Sequence, residues 1–215
     1  MNRNHDIRID RSKLHPQLNY KLSLLLKKCM KKGIYLIITE GFRTPAEQDR
    51  LYAKGRTAPG EIVTHARGSS YSSQHQWGIA FDIAMNYDID GDGKVSDDTW
   101  NRKGFQRVAK IAKSIGLGWG GDWKFVDTPH LYLKKWGSTT AKLKQQYGTF
   151  ANFKKTWTAK VHRTKGLILW KDALKANKIL RIPNGESVQV LHTKLWYAKV
   201  RYQGKYGFVN RKYIS

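Results

Sequence analysis

The ten residues Ser73-Gln74-His75-Gln76-Trp77-Gly78-Ile79-Ala80-Phe81-Asp82 constrain this chain most tightly. They begin polar, pass a glycine and end in an alternating apolar run, so the segment reads as a loop entering a strand. His75 then lies in the loop. Asp82 shares a strand face with Ala80 and Ala84, opposite Ile79, Phe81 and Ile83. A second histidine closes Asp127-Thr128-Pro129-His130 and opens a short strand through Leu133. A lone histidine on a strand is more often structural than a ligand. Two imidazoles and a carboxylate, however, are a complete ligand set for a catalytic zinc with one open position. A fold that uses them must bring positions 75, 82 and 130 together.

The rest of the 215 residues is enough for one ordinary domain and a small one. At 40% hydrophobic and 26% charged the chain is globular. No apolar run reaches the roughly 18 residues of a membrane span, and Leu22–Leu26, flanked by lysines, is a helix face. The polar start Met1-Asn2-Arg3-Asn4 has no signal-peptide pattern, so synthesis in the cytoplasm followed by release is expected. The single cysteine, Cys29, continues the helical stripe Leu18, Leu22, Leu25, Leu26 and reads as core, not as a nucleophile. Charge is the strongest compositional signal: 40 Lys and Arg face 16 Asp and Glu. Residues 151–215 hold 15 basic and 2 acidic side chains, against 25 and 14 in the first 150. Such a surface attracts polyanions, whether nucleic acid, anionic lipid or phosphate-bearing wall polymers.

In order, residues 1–13 read as a loosely held polar arm, followed by a helix from Pro16 to Lys32 that stops at Gly33. Residues 34–39 are a buried strand. Thr44, Pro45 and Glu47 form an N-cap and capping box for a helix to Lys54. Gly55–Ser73 is a long loop feeding His75, read as a rim or lid. After the strand Ile79–Met85, a helix spans Thr99–Ile115 with Trp100, Phe105, Val108, Ile111, Ala112 and Ile115 on its apolar side. Lys142–Phe153 is a closing helix or an irregular linker. Beyond Ala159, short apolar or alternating runs separated by turns indicate a small β-barrel.

Between strand and helix lies Asp88-Ile89-Asp90-Gly91-Asp92-Gly93-Lys94-Val95-Ser96. Asp88, Asp90 and Asp92, with the Lys94 carbonyl and the Ser96 side chain, match the first nine positions of a calcium loop. Position 12 is Thr99 where a bidentate glutamate is expected, which lowers affinity or moves the last ligand to Asp97 or Asp98. The competing reading is an ion-free Asx-turn loop. Calcium, structural or regulatory, is favoured because three carboxylates at alternate positions repel one another without a cation.

Three blocks carry a family resemblance: Gly41-Phe42-Arg43-Thr44 with Gln48, the stretch Ser73–Asp82, and Trp119-Gly120-Gly121-Asp122-Trp123 leading to Asp127-Thr128-Pro129-His130. Residues 15–135 resemble the M15 zinc peptidases of bacterial wall peptides. Within that family they look like the L-alanyl-D-glutamate endopeptidases of phage endolysins and their Bacillus relatives. The resemblance implies an α+β, hedgehog/D-Ala-D-Ala-peptidase-like domain with catalytic Zn2+ on His75, Asp82 and His130. It also implies Asp127 as the base that takes a proton from the attacking water, and Arg43 as the oxyanion partner. Arg43 as a surface salt bridge is the plain alternative. Gln48 either supports the site, contacts substrate or is a solvated helix residue. Trp123 is a candidate substrate contact, and His65 in the loop has no assigned role.

Residues 160–215 resemble bacterial SH3-like (SH3b) wall-binding domains, through Gly166–Trp170, Gly185–Leu191, Trp196–Tyr202 and Gly204–Val209. Ile168-Leu169-Trp170 stands where such domains often have Asn-Val-Arg. Trp170, Trp196 and Tyr206, with Tyr197 and Tyr202, are either wall contacts or barrel core, and the sequence does not divide them.

Together these readings lead to a monomeric peptidoglycan hydrolase of endolysin type, with a catalytic domain over 1–150, a linker over 151–159 and a wall-binding domain over 160–215. Its partners are peptidoglycan and anionic wall polymers, with no nucleic acid and no membrane span. A D-Ala-D-Ala carboxypeptidase of the same fold is the rival within the enzyme class. A non-catalytic polyanion binder is the rival outside it, and no helix-turn-helix, RRM or zinc-finger pattern supports that.

Overall fold

A computed structural model describes residues 4–215. Strand β1 (Asp6–Ile7) is followed by helix α1 (Pro16–Met30), strand β2 (Leu36–Glu40) and helix α2 (Pro45–Ala53). Strand β3 (Ala80–Met85), helix α3 (Arg102–Ser114) and strands β4 (Leu117–Trp119) and β5 (His130–Leu133) complete the first sheet, in the order β1-β2-β3-β5-β4. Only β1 and β2 run parallel; the other pairs are antiparallel.

The N-terminal arm is not loose over its described part. Asp6 and Ile7 pair with Ile37 and Ile38, and His5 accepts from the Leu36 amide at 3.0 Å. Residues 1–3 of that expected arm lie outside the described residues. Helix α1 starts at Pro16, as its fixed φ favours, and buries Leu18, Leu22, Leu25 and Cys29 against the sheet. Each fully buried leucine contributes about 2–3 kcal/mol. Cys29 is core as expected, and burial pushes its thiol up to about 12.

Helix α2 carries the capping box: the Thr44 hydroxyl accepts from the Glu47 amide, and Glu47 returns to the Thr44 amide at 2.7 Å. Helix α3 begins three residues later than its apolar pattern suggests. Asn101 caps it by accepting from the Lys103 and Gly104 amides, which leaves Trp100 outside the helix and 62% exposed, not on its apolar face. The closing segment forms two short helices, α4 (Ala141–Tyr147) and α5 (Phe150–Lys155).

The tail forms a second sheet from β6 (Thr158–Lys160), β7 (Leu167–Trp170), β8 (Lys178–Ile182), β9 (Ser187–Thr193), β10 (Tyr197–Tyr202) and β11 (Lys205–Asn210). Its order is β6-β9-β10-β11-β7-β8. The expected barrel is therefore open among the described residues: β6 and β8 are the two edges. One apolar cluster runs from Leu14 to Trp157, and a second from Val161 to Ile214. The sheets meet through α1. Thr193 Oγ1 donates to the Pro16 carbonyl at 2.6 Å, Asn19 Nδ2 meets His192 Nδ1 at 2.8 Å, and the Arg211 guanidinium lies 3.4 Å from the Tyr20 ring centroid.

Candidate metal centre

Strand register builds the site. In adjacent strands, directly opposed residues project to the same face of the sheet. Asp82 on β3 is opposed by Glu40 on β2 and by His130 on β5, so three polar residues form one row across three strands. His75 joins them from the short 3-10 turn Gln74–Trp77 that leads into β3. Gly78 ends that turn at φ +62°, where an added Cβ would also strike the Lys13 carbonyl at 2.4 Å.

His75 Nε2 lies 3.3 Å and His130 Nδ1 3.0 Å from the same oxygen, Asp82 Oδ1. The far nitrogens are occupied. His75 Nδ1 donates to the Gly41 carbonyl at 2.7 Å, and His130 Nε2 donates to Gln74 Oε1 at 2.8 Å. Gln74 is itself buried and donates to the Gly137 carbonyl at 3.3 Å. With their protons on the far side, both imidazoles turn lone pairs toward a carboxylate oxygen. That arrangement is repulsive unless a cation sits among the three groups, so the donor set fits a divalent metal. Burial alone would raise the Asp82 carboxyl, but positive charge brought to the facing imidazoles outweighs it and holds Asp82 well below the usual carboxylate range.

Asp127 Oδ2 lies 4.0 Å from His130 Nδ1, close to the group but more open to solvent. Desolvation pushes its carboxyl up from the ordinary value, which moves it toward the range of a working base. Its position depends on Gly120, whose carbonyl accepts from the Trp123 and Asp127 amides at 3.1 and 3.0 Å. A Cβ at Gly120 would meet the Asp127 carbonyl at 2.5 Å and His130 Cβ at 3.0 Å. Trp123 stacks near His130, with ring centroids 5.0 Å apart, and donates to the Tyr132 hydroxyl at 3.3 Å.

Arg43 is nearly buried. Its Nη1 donates to Gln48 Oε1 at 2.7 Å and its Nη2 pairs with Glu40 at 3.3 Å. Among the described residues its buried Nε has no partner. Gln48 is fully buried, not a solvated helix residue. Its Nε2 reaches Thr64 Oγ1 at 3.1 Å and the Ala66 carbonyl at 2.9 Å, so one side chain ties the Gly55–Ser73 loop to the Arg43 guanidinium. That loop is a rim stitched to α2, with Asp49 also accepting from the Gly68 amide at 2.6 Å. His75, Asp82, His130, Asp127, Arg43 and Glu40 line one cleft of about 590 Å³, with Gln74, Trp123, Lys54 and His65 on its walls.

In the acidic loop the carboxylates of Asp88, Asp90 and Asp98 converge within 4.8 Å. Asp92 lies outside that group, accepting from the Lys94 amide at 2.8 Å and pairing with Lys94 Nζ at 3.6 Å. The three candidate wall contacts separate. Trp170 and Tyr206 lie on the outer face of the second sheet. Trp196 is 75% exposed, with Lys27 of α1 5.5 Å above its ring.

The pattern of a family described as D-alanyl-D-alanine carboxypeptidase (Peptidase_M15_4) matches residues 67–133. The chain is 42% identical over 130 residues to the peptidoglycan L-alanyl-D-glutamate endopeptidase CwlK of Bacillus subtilis (strain 168), covering 57% of this chain and 74% of that protein. This chain belongs to the M15 peptidase family. The M15 match extends to the L-alanyl-D-glutamate peptidase of Listeria phage A118, 36% identical over 115 residues, half of this chain and 34% of that protein. Among solved structures, the Serratia marcescens L-Ala D-Glu endopeptidase ChiX aligns with a TM-score of 0.42 at 22% identity, over 60% of this chain and 90% of that one. M15 peptidases are zinc-dependent metallopeptidases, and the His75, Asp82 and His130 group is the place in this M15 chain that fits their metal. Gln74 and Glu40 are the members of the site that sequence reasoning passed over. Gln74 lies inside the Ser73–Asp82 stretch and Glu40 just before Gly41, but their partners are fixed only by strand register and by the turn before β3.

Proposed function

We propose that this peptidase cuts the L-Ala–D-Glu bond in the stem peptide of peptidoglycan. The observation that carries the reading is the convergence of His75, Asp82 and His130 beside Asp127 in one cleft. The names of the Bacillus and phage relatives support the choice of bond. In this reading His75, Asp82 and His130 would hold zinc, which would supply Lewis acidity at the scissile carbonyl and lower the pKa of the attacking water. Asp127 takes the proton of the attacking water and returns it to the departing amine nitrogen. Arg43, held by Gln48 and Glu40 at the cleft wall, is the cation that stabilises the oxygen that gains negative charge. Gln74 and the Gly41 carbonyl keep the two imidazoles in the required tautomers. Trp123 forms one wall of the substrate cleft.

Digestion of purified walls followed by mass spectrometry of the new termini tests the reading. New N-terminal D-Glu is expected, abolished by chelator and restored by zinc. The second reading, D-Ala-D-Ala carboxypeptidase, draws on the description of the matching family; released D-Ala with no new D-Glu terminus would establish it instead. A protein that binds no zinc and leaves walls intact would return the chain to a non-catalytic polyanion binder.

Around this core the chain has a catalytic unit and a wall-targeting unit, expected to be joined by a linker at 151–159. The first apolar cluster runs on to Trp157 and β6 already pairs with β9, so the two units meet at 157–158 with no free linker between them. Release at lysis, as in an endolysin, suits an enzyme whose substrate lies outside the cell. No helix among the described residues is long and apolar enough to cross a membrane. The acidic loop binds calcium, with Asp98 replacing Asp92 in the ligand set; the gathering of Asp88, Asp90 and Asp98 supports this. Calorimetric titration checks it: no heat, together with an unchanged melting temperature in EGTA while zinc is retained, would remove calcium from the account.

A further inference from the structure

The outer face of the second sheet carries a row of side chains, with a register shift at its Trp170–Lys178 end, that the cleft chemistry does not use. By register, Lys199 on β10 opposes Phe208 on β11, Phe208 opposes Trp170 on β7, and Trp170 opposes Lys178 on β8. Opposed residues share a face, so cation, aromatic, aromatic and cation follow one another at about 4.8 Å per strand. A second rung lies beside it, where Arg201 opposes Tyr206. The cations sit against the rings: Lys199 Nζ is 5.9 Å from the Phe208 centroid and the Arg201 guanidinium 5.6 Å from Tyr206. Along β10 the two charges repeat at about 6.8 Å. The alternating inward residues Ala198, Val200, Gly207 and Val209 are buried, while Lys199, Arg201, Lys178 and Tyr206 stay exposed.

The charge on this face is uncompensated. None of the six strands carries a carboxylate. Asp172 lies in the turn after β7, accepting from the Ala176 amide at 3.2 Å, and Glu186 precedes β9, pairing with the Tyr202 hydroxyl at 3.3 Å. At the β9 end the face is closed by the catalytic unit, where His192, opposite Lys199, meets Asn19. The free part therefore spans β10, β11, β7 and β8.

We propose that this face is the wall-contact surface and that its ligand is a phosphodiester-linked, polyanionic wall polymer rather than the stem peptide. Cations repeating along a strand match repeating phosphates, and the Trp170 and Phe208 rings between them offer a stacking surface to sugar or polyol units. A stem peptide brings a few isolated carboxylates and no regular repeat of negative charge to match cations spaced along a strand. The inference rests on the wall-targeting reading of the tail and specifies its ligand.

The test uses the full chain in an Asp127→Ala background, so that walls stay intact, sedimented with Gram-positive walls before and after hydrofluoric acid removes phosphodiester polymers. Strong binding to intact walls and weak binding to stripped walls is expected. Lys199→Glu with Arg201→Glu lowers affinity for intact walls roughly tenfold or more, and Lys178→Glu lowers it less. All three positions are exposed, so the melting temperature stays put. In the otherwise wild-type chain, the same substitutions leave cleavage of soluble muropeptides unchanged. Equal binding to intact and stripped walls, indifferent to these substitutions, overturns the proposal and leaves wall targeting standing. Absence of binding to either wall overturns the targeting reading as well. Tighter binding to duplex DNA than to intact walls at the same salt assigns the face to nucleic acid and overturns the proposal.

Discussion

Two clusters each bring three metal-ligating side chains within 4.8 Å: His75, Asp82 and His130, and Asp88, Asp90 and Asp98. They differ in what their polar atoms are already doing. In the first, the hydrogen bonds go to the far nitrogens, so the near lone pairs stay unused and aimed inward. In the second, the carboxylate oxygens themselves are engaged. Asp88 accepts from the Gly91 and Gly93 amides, Asp90 from Asp92, and Asp98 from Ile89 and Asn101. One cluster is buttressed from behind and holds a repulsion that a cation relieves. The other is a set of turns that closes on itself. Proximity of ligands is common to both; orientation by outside partners belongs only to the first, and it is the better mark of a catalytic metal.

The sharpest way to break this contrast is at the first cluster. His130→Ala should abolish both zinc retention and turnover, read by elemental analysis and muropeptide cleavage. Asp127→Ala should keep its zinc and still lose about 10²–10⁴-fold in kcat. Full wall clearing by Asp127→Ala would remove it from the chemistry. Next, Gln74→Leu should weaken zinc binding by about 10–100-fold, measured by competition with a chromogenic chelator. Gln74→Glu, which keeps an acceptor for His130, should stay near wild type. An unchanged zinc affinity in the leucine variant would mean that backing partners are not what distinguishes the clusters.

Smaller is the effect expected of Gln48→Leu, which frees both Arg43 and the rim loop: roughly 10–100-fold in kcat/KM with zinc content unchanged. Protease sensitivity of residues 55–73 should rise in parallel. Smallest is Asp90→Asn in the acidic loop. It should leave cleavage within about twofold and remove any calcium-dependent rise in melting temperature, itself only a few degrees at 100-fold saturation. A large loss of cleavage there would show that the acidic loop is as much a part of the site as the zinc ligands.

The His75, Asp82 and His130 cluster and its neighbour Asp127 were legible in the sequence because each sits in a short local frame that fixes its neighbours. Helix α2 was legible because Thr44, Pro45 and Glu47 spell a cap. Pairing was not. Nothing in the local text says that Glu40, Asp82 and His130 form one row, or that Asp6 and Ile7 run parallel to Ile37 and Ile38. Trp100 misled the helix reading because apolar periodicity cannot see Asn101 capping the helix one residue later. The five tail aromatics weighed as wall contacts or core could not be sorted for a related reason. Whether a ring faces core, solvent or α1 depends on register, which put Tyr202 inside, Tyr206 outside and Trp196 under Lys27.

The seam where Pro16, Asn19 and Tyr20 meet Thr193, His192 and Arg211 has a consequence for any experiment that shortens the chain. Helix α1 is shared property: one side seals the catalytic core and the other seats the tail. The two units should therefore melt in a single coupled transition, and deleting residues 160–215 strips the outer flank of α1 as well as the proposed wall contacts. A truncated enzyme that clears walls poorly would then be reporting lost thermal resilience alongside lost anchorage. Point substitutions on the outer face of the second sheet separate the two; truncation does not.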